Sequence, residues 1–428
     1  MMKIYLSLYK GSVIMGLLTN DLNDVIRNDS KNYGFTKDQL CFKTGFPLFD
    51  YLNGSVDYQG KNQIYNVGID AGKSVMIVGK SGTGKSSFGI QLAASIMQKY
   101  EESTMYVYDF EQSHTEARIR SITGMSKEYF DKHVTIKSVG IYTETILKIV
   151  KQIAEVKLKH EKELLVENQE GVYGDDGKLV KILPPTIIFI DSIASMRTKD
   201  AQDGDEMTAL TGGARNAIAN KDLFNRILQP CMEANIIVIS INHINDNLSM
   251  GVTPPIAATR YLKNTESISG GKAILYLSNL LIKIEAGPKL EENEKYGVKG
   301  FMATVSIIKS RNSEGGKSID MIFNQKEGFD EDLSEFEFLK ANGKIKGAGI
   351  GLYLDGLETM KFRMSNLKEK LLDNTFKTRF KELVDEALKE NLKASTKLLS
   401  SEDTDETTND LENLVSEDDS ITTISENE

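Results

Sequence analysis

Ser74-Val-Met-Ile-Val-Gly79-Lys-Ser-Gly-Thr-Gly-Lys85-Ser86 is the stretch that decides the fold. A β-branched, apolar run of strand length ends at Gly79, and helical periodicity takes over across residues 86–100. Between them the chain satisfies every fixed position of G-x-x-x-x-G-K-[ST], a phosphate-binding loop. Its glycines let backbone N–H groups converge on phosphate oxygens, and the helix N-terminus adds partial positive charge. Lys85 is expected to reach the β- and γ-phosphates, and the Ser86 hydroxyl to ligate Mg²⁺. The nucleotide site is expected over Gly79, Lys80, Ser81, Gly82, Thr83, Gly84, Lys85, Ser86 and Ser87. The stretch therefore predicts a protein that binds a nucleoside triphosphate.

Outward from this loop, Thr104–Glu111, Thr186–Ser192 and Ile236–His243 are further apolar runs suited to buried parallel strands. Helical patterns at Ser86–Tyr100, Tyr142–Leu165 and Ala214–Asn235 separate them. The alternation predicts an α/β fold, a mostly parallel central sheet flanked by helices. Asn279–Ala286, Phe301–Arg311 and Ser318–Asn324 follow without helices, so the sheet should finish antiparallel. Asp191 ends one strand where a carboxylate can hold Mg²⁺ through water, the Walker B position. Glu111 ends another, where it can orient and deprotonate a water. Asp109 has the same parity on that strand and competes for this role.

The expected organisation has four parts. Residues 1–35 hold a short amphipathic helix (Leu18, Leu22, Val25, Ile26) suited to oligomerisation, and residues 36–325 form the core. A largely helical C-terminal region follows at 326–400, with Phe376, Phe380, Leu383, Val384 and Leu388 on one helical face. Residues 401–428 form an acidic tail that composition predicts to be disordered. Within the core, a charged insertion at 155–184 carries an Asp-Asp-Gly turn. Two polar, Gly-rich stretches at 197–213 and 245–271 read as functional loops.

The order of these motifs resembles the RecA-like homologous-recombination ATPases. Thr44-Gly45-Phe-Pro-Leu-Phe-Asp50-Tyr-Leu52-Asn-Gly54 is similar to their entry segment, and Asp191-Ser192-Ile-Ala194 to their Walker B strand end. Asn242-His243 and Gly270-Gly271-Lys-Ala273 resemble the γ-phosphate-sensing strand end and the close of the second DNA loop. His243, together with the acidic tail, is most like the phage UvsX-type recombinases. The resemblance implies ATP and Mg²⁺ as cofactors, with Ser86 and Asp191 at the metal. It implies Glu111 as the catalytic base, with Lys85 and His243 beside it. Arg118 would lie on adenine, and Lys309 and Arg311 would reach a neighbouring subunit's ATP. The two loops would bind DNA through Arg197, Lys199, Arg215, Arg260 and Lys263. The implied activity is DNA-dependent ATP hydrolysis by a head-to-tail helical filament on single-stranded DNA. That filament would pair with duplex DNA and exchange strands in recombination and repair, alongside single-strand-binding and mediator proteins. A hexameric replicative helicase and a non-exchanging mediator ATPase are the alternatives.

Net charge at first opposes a polyanionic partner, since 62 acidic side chains face 52 basic ones. Eleven of those acids lie in residues 401–428, which hold no Lys or Arg, so residues 1–400 carry +1. The body is thus near neutral and compatible with DNA. Cys41 and Cys231 are too few for a disulfide framework and are expected as small core residues. No run suits a membrane span and no secretory leader is evident, so the expected location is cytoplasmic, the host cytoplasm for a phage protein. Met15 is an alternative start.

Overall fold

The computed structural model describes residues 40–59, 62–174, 176–203, 209–246, 260–263, 265–269 and 272–395. The helix expected near residues 17–28 and the acidic tail lie outside the described residues.

Ten strands form the main sheet among these residues. In chain order they are β1 (Ser74–Gly79), β2 (Thr104–Asp109), β3 (Val134–Lys137), β4 (Thr186–Asp191), β5 (Ile236–Asp246), β6 (Glu266–Ile268), β7 (Leu280–Leu290), β8 (Gly300–Ser310), β9 (Ser318–Asn324) and β10 (Gly328–Asp330). The spatial order is β10-β9-β8-β7-β1-β5-β4-β2-β3, with β6 pairing only β5. From β7 to β3 the neighbours run parallel, and from β7 to β10 antiparallel. The antiparallel finish expected after residue 279 is therefore present, and it extends past residue 325 to include β10.

Period-two alternation divides the apolar residues between two helical layers. Val75, Ile77, Ile187, Phe189, Ile237 and Ile239 face one way, against α1 (Pro47–Leu52), α2 (Lys85–Met97) and α3 (Glu116–Thr123). Met76, Val78, Ile188, Ile190, Ile236 and Val238 face the other, against α4 (Thr143–Lys159), α5 (Ala209–Glu233) and α6 (Lys272–Leu277). Both faces are covered, which is why β1 and β4 are buried at every position and apolar between their ends.

The 155–184 insertion is the end of α4 followed by a hairpin, Val166–Glu167 paired with Lys181–Ile182. Gly177 takes the left-handed conformation its turn requires (φ 73°). The hairpin is tied to the core: Glu170 receives Lys99 Nζ at 2.7 Å and the Lys43 N–H at 3.1 Å. Residues beyond β10 build a further core around α7 (Glu331–Ala341), a three-stranded sheet and α8 (Asn374–Ser395). All five residues of the expected apolar face, Phe376 to Leu388, are buried there. Both cysteines are buried and neither is in a disulfide, and among the described residues no helix is long and apolar enough to cross a membrane.

Lys157 of α4 lies buried at the sheet, its ammonium donating to Pro184 O (2.6 Å), Thr186 Oγ1 (3.1 Å) and Asn235 O (3.4 Å). Burial pushes it down to about 7. Between there and the ordinary lysine value, the unfolded chain holds a proton that the folded one has lost. Stability should rise with pH across that window and level off above it. The melting temperature of wild type minus that of Lys157→Met should rise from pH 7 to pH 10. A constant difference would refute this assignment.

Candidate nucleotide-binding site

The register of the parallel strands assembles the site at their C-terminal ends, where open α/β sheets place ligands. Gly79 at the end of β1 lies opposite His243 of β5, and Asp191 of β4 lies opposite Asp109 of β2. Four chain-distant strand ends thus meet along one edge.

The phosphate-binding loop is built by two glycines. Gly79 abuts the neighbouring strand so closely that a Cβ there would sit 2.4 Å from Ile284 O. Gly84 caps α2 in the left-handed conformation (φ 84°) and contributes no side-chain acceptor. The first-turn N–H groups of α2 are therefore available to an anion. Lys85 is buried, its Nζ donating to Lys80 O at 2.6 Å. Burial holds its ammonium below the ordinary lysine range, against the pull of Asp191 and Glu111.

Asp191 accepts the Ser86 hydroxyl at 2.6 Å. A hydroxyl and a carboxylate in direct contact beside a helix N-terminus form an all-oxygen donor pair suited to a hard divalent cation such as Mg²⁺. The same Asp191 Oδ2 lies 2.9 Å from His114 Nε2. His114 is not among the residues expected from the sequence, and its spacing from Asp191 along the chain offers no signal.

Glu111 and Asp109 are separated clearly. Asp109 is fully buried and its two oxygens accept the backbone N–H groups of Ser113 (3.1 Å) and His114 (2.8 Å), fixing the turn after β2. Glu111 is partly exposed and accepts the Ser192 hydroxyl, with His243 Nε2 at 2.9 Å from the same oxygen. Partial burial pushes its carboxyl up, but the Ser192 and His243 hydrogen bonds and the Lys85 charge outweigh this. The net position is below the usual glutamate range.

His243 stands at the root of the second loop. Beside it Asn242 Nδ2 donates to Ser269 O (2.8 Å), and β5 continues to Asp246 in an antiparallel pair with β6. This stem is ordered strand where the sequence suggested only an aperiodic loop from 245. Asp246 and Glu266 face each other in register, and each carboxylate reaches a lysine on another element. Asp246 pairs with Lys80 of the phosphate loop (2.9 Å), and Glu266 with buried Lys283 of β7 (2.8 Å). Residues 247–259, 264, 270 and 271 of this loop, and 204–208 of the first, lie outside the described residues.

The remaining expected residues divide. Arg118 joins the site's rim, donating to Gln325 O (2.8 Å), Lys326 O (2.9 Å) and Ser87 Oγ (3.4 Å). Arg197, Lys199, Arg215 and Arg260 are exposed. The Arg197 guanidinium donates to Ala194 O and Met196 O, and Lys263 forms a 2.7 Å ion pair with Glu285. Lys309 and Arg311 do not converge on their own phosphate loop. Lys309 pairs with Leu281, itself opposite Met76, three residues or about 10 Å of strand before Gly79. There Lys309 Nζ donates to Leu275 O, Tyr276 O and Ser278 O at 2.7–2.9 Å. Burial, with neighbouring Arg311, lowers its ammonium to about 8.

A phosphate loop, a Walker B aspartate and a mostly parallel sheet between two helical layers define a P-loop ATPase domain of the RecA fold. Residues 43–212 match the family model described as "ATPase: KaiC". That match covers the phosphate loop, Glu111 and Asp191, and stops before His243, the second loop and the C-terminal region. A search of curated proteins found no match. The fold implies ATP as the ligand, with Mg²⁺ as its usual companion.

Proposed function

We propose that this ATPase is a homologous recombinase, one that uses bound ATP to hold a helical filament on single-stranded DNA and promotes pairing and strand exchange. The observation that carries the reading is the shared Glu111 oxygen: it meets Ser192 of the Walker B strand end and His243 at the root of the second loop. A group that senses the γ-phosphate there would bias the loop's stem through the adjoining Asn242–Ser269 contact. Nucleotide state and grip on DNA would then be two faces of one equilibrium.

In this reading Glu111 orients and deprotonates the attacking water, and Lys85 draws charge from the β- and γ-phosphates. Ser86 and Asp191 would hold Mg²⁺, which neutralises phosphate charge when bound. Lys309 and Arg311 lie far from their own phosphate loop, an arrangement that favours service to a neighbour's nucleotide in a head-to-tail assembly. Arg197, Lys199, Arg215, Arg260 and Lys263 would grip phosphates without sequence preference, so binding should weaken steeply with salt.

Electron microscopy with single-stranded DNA and a slowly hydrolysed ATP analogue tests the reading. Extended helical filaments are expected. Closed six-membered rings would overturn it in favour of a replicative helicase, and DNA binding without filaments would point to a mediator ATPase.

A further inference from the structure

We propose that His114 is a positioning residue of the nucleotide site, holding the Asp191 carboxylate in the orientation that receives the cation accompanying the nucleotide. The inference rests on the Mg²⁺–ATP reading of Ser86 and Asp191 and deepens it.

Three contacts lock the His114 ring in place. Its backbone N–H donates to Asp109 Oδ2 at 2.8 Å, anchoring the residue to the end of β2. Its ring lies edge-on to Phe189 of β4, with centroids 5.6 Å apart and planes at 89°. Its Nε2 lies 2.9 Å from Asp191 Oδ2, where the two side chains are only 7% and 2% exposed. An ionised carboxylate can only accept, so Nε2 is the donor. Asp109, too enclosed to act on a water, thus serves the site in another way, by presenting His114 to the neighbouring strand's aspartate.

The Asp191 oxygen has two donors, Ser86 and His114, and they differ in kind. Ser86 carries a hydroxyl whose lone pairs are themselves metal ligands, so its contact with Asp191 can be given up to a cation. His114 has a single ring donor aimed at the carboxylate, so it keeps the group oriented whether or not the hydroxyl is engaged. Hydrogen-bonded partners of ligating groups commonly set metal affinity, and losing one costs about 10–100-fold.

The test measures Mn²⁺ binding to the ADP-loaded full chain by electron paramagnetic resonance, with Mn²⁺ standing in for Mg²⁺. His114→Leu is expected to raise the Mn²⁺ dissociation constant by about tenfold or more. Its affinity for metal-free ADP should stay within about twofold, because no phosphate-loop contact is touched. His114→Gln, whose amide can donate along a similar path, should recover most of the affinity, and the shorter His114→Asn should not. The same order should appear in the Mg²⁺ concentration needed for half-maximal ATP turnover. A merely structural histidine would move melting temperature without separating these variants. Unchanged Mn²⁺ affinity in a folded His114→Leu protein would overturn the proposal. Should the Leu variant fail to fold, equal affinities for the Gln and Asn variants would do the same. Wild-type protein that takes up no Mn²⁺ with ADP would instead overturn the nucleotide-site reading, and the proposal with it.

Discussion

Glu111→Gln is expected to retain ATP binding and to lose hydrolysis, with turnover falling about 10²–10⁴-fold. The amide is isosteric, so it can still accept from Ser192 and keep the loop after β2 in place, but it cannot take a proton from water. Ser192, His243 and Lys85 together keep the Glu111 carboxyl below the usual glutamate range despite its partial burial, so it stands as an acceptor. It is also reachable, which Asp109 is not: Asp109 is fully enclosed and committed to two backbone N–H groups. The contrast sets the control. Asp109→Asn should lower thermal stability by breaking charge-assisted hydrogen bonds to the turn, whereas Glu111→Gln should melt close to wild type. Phosphate release and fluorescent-nucleotide binding measured side by side decide between the two carboxylates. Unchanged hydrolysis in Glu111→Gln would remove Glu111 as the base.

Lys85→Ala is expected to abolish ATP turnover, a loss of at least about 10²–10³-fold, comparable to removing one preorganised charge-stabilising donor. Lys85 emerges from the first turn of α2 and is buried beside the carboxylates of Asp191 and Glu111. No other phosphate-loop side chain offers a buried cation: Lys80 is exposed and paired with Asp246. Folding should survive, because the substitution removes an ammonium that burial already disfavours. Undiminished phosphate release from a folded Lys85→Ala protein would refute the phosphate-loop assignment itself.

The parts of the site were unequally legible in the sequence. The phosphate loop is local, and its glycines, lysine and serine fall within eight residues, so backbone chemistry alone announces it. Asp191 and Glu111 each end an apolar run, which is also a local signal. His114 was invisible because its partner lies 77 residues away and only strand order brings β2 beside β4. The Lys283–Glu266 pair that braces the second loop's stem was hidden for the same reason. Glu266 belongs to a stretch that reads as a polar loop, yet its side chain is only 5% exposed and pairs with the enclosed Lys283 of β7. Lys263, read from the sequence as a loop cation for DNA, sits in an ion pair with Glu285.

Periodicity and composition were enough to establish an α/β sheet with an antiparallel finish, a phosphate-loop motif at Gly79–Ser86, and acidity concentrated in the last 28 residues. Each is a property of neighbours along the chain: a repeat of two or 3.6, a run of glycines, a block of like charge. Tertiary structure alone showed Asp109 enclosed and Glu111 reachable, set one Glu111 oxygen against both Ser192 and His243, gave Asp191 its histidine partner and fixed the register that keeps Lys309 from its own phosphate loop. Those outcomes depend on strand order and register, which arise when apolar faces from distant segments are buried together. A linear pattern carries the faces but not their arrangement.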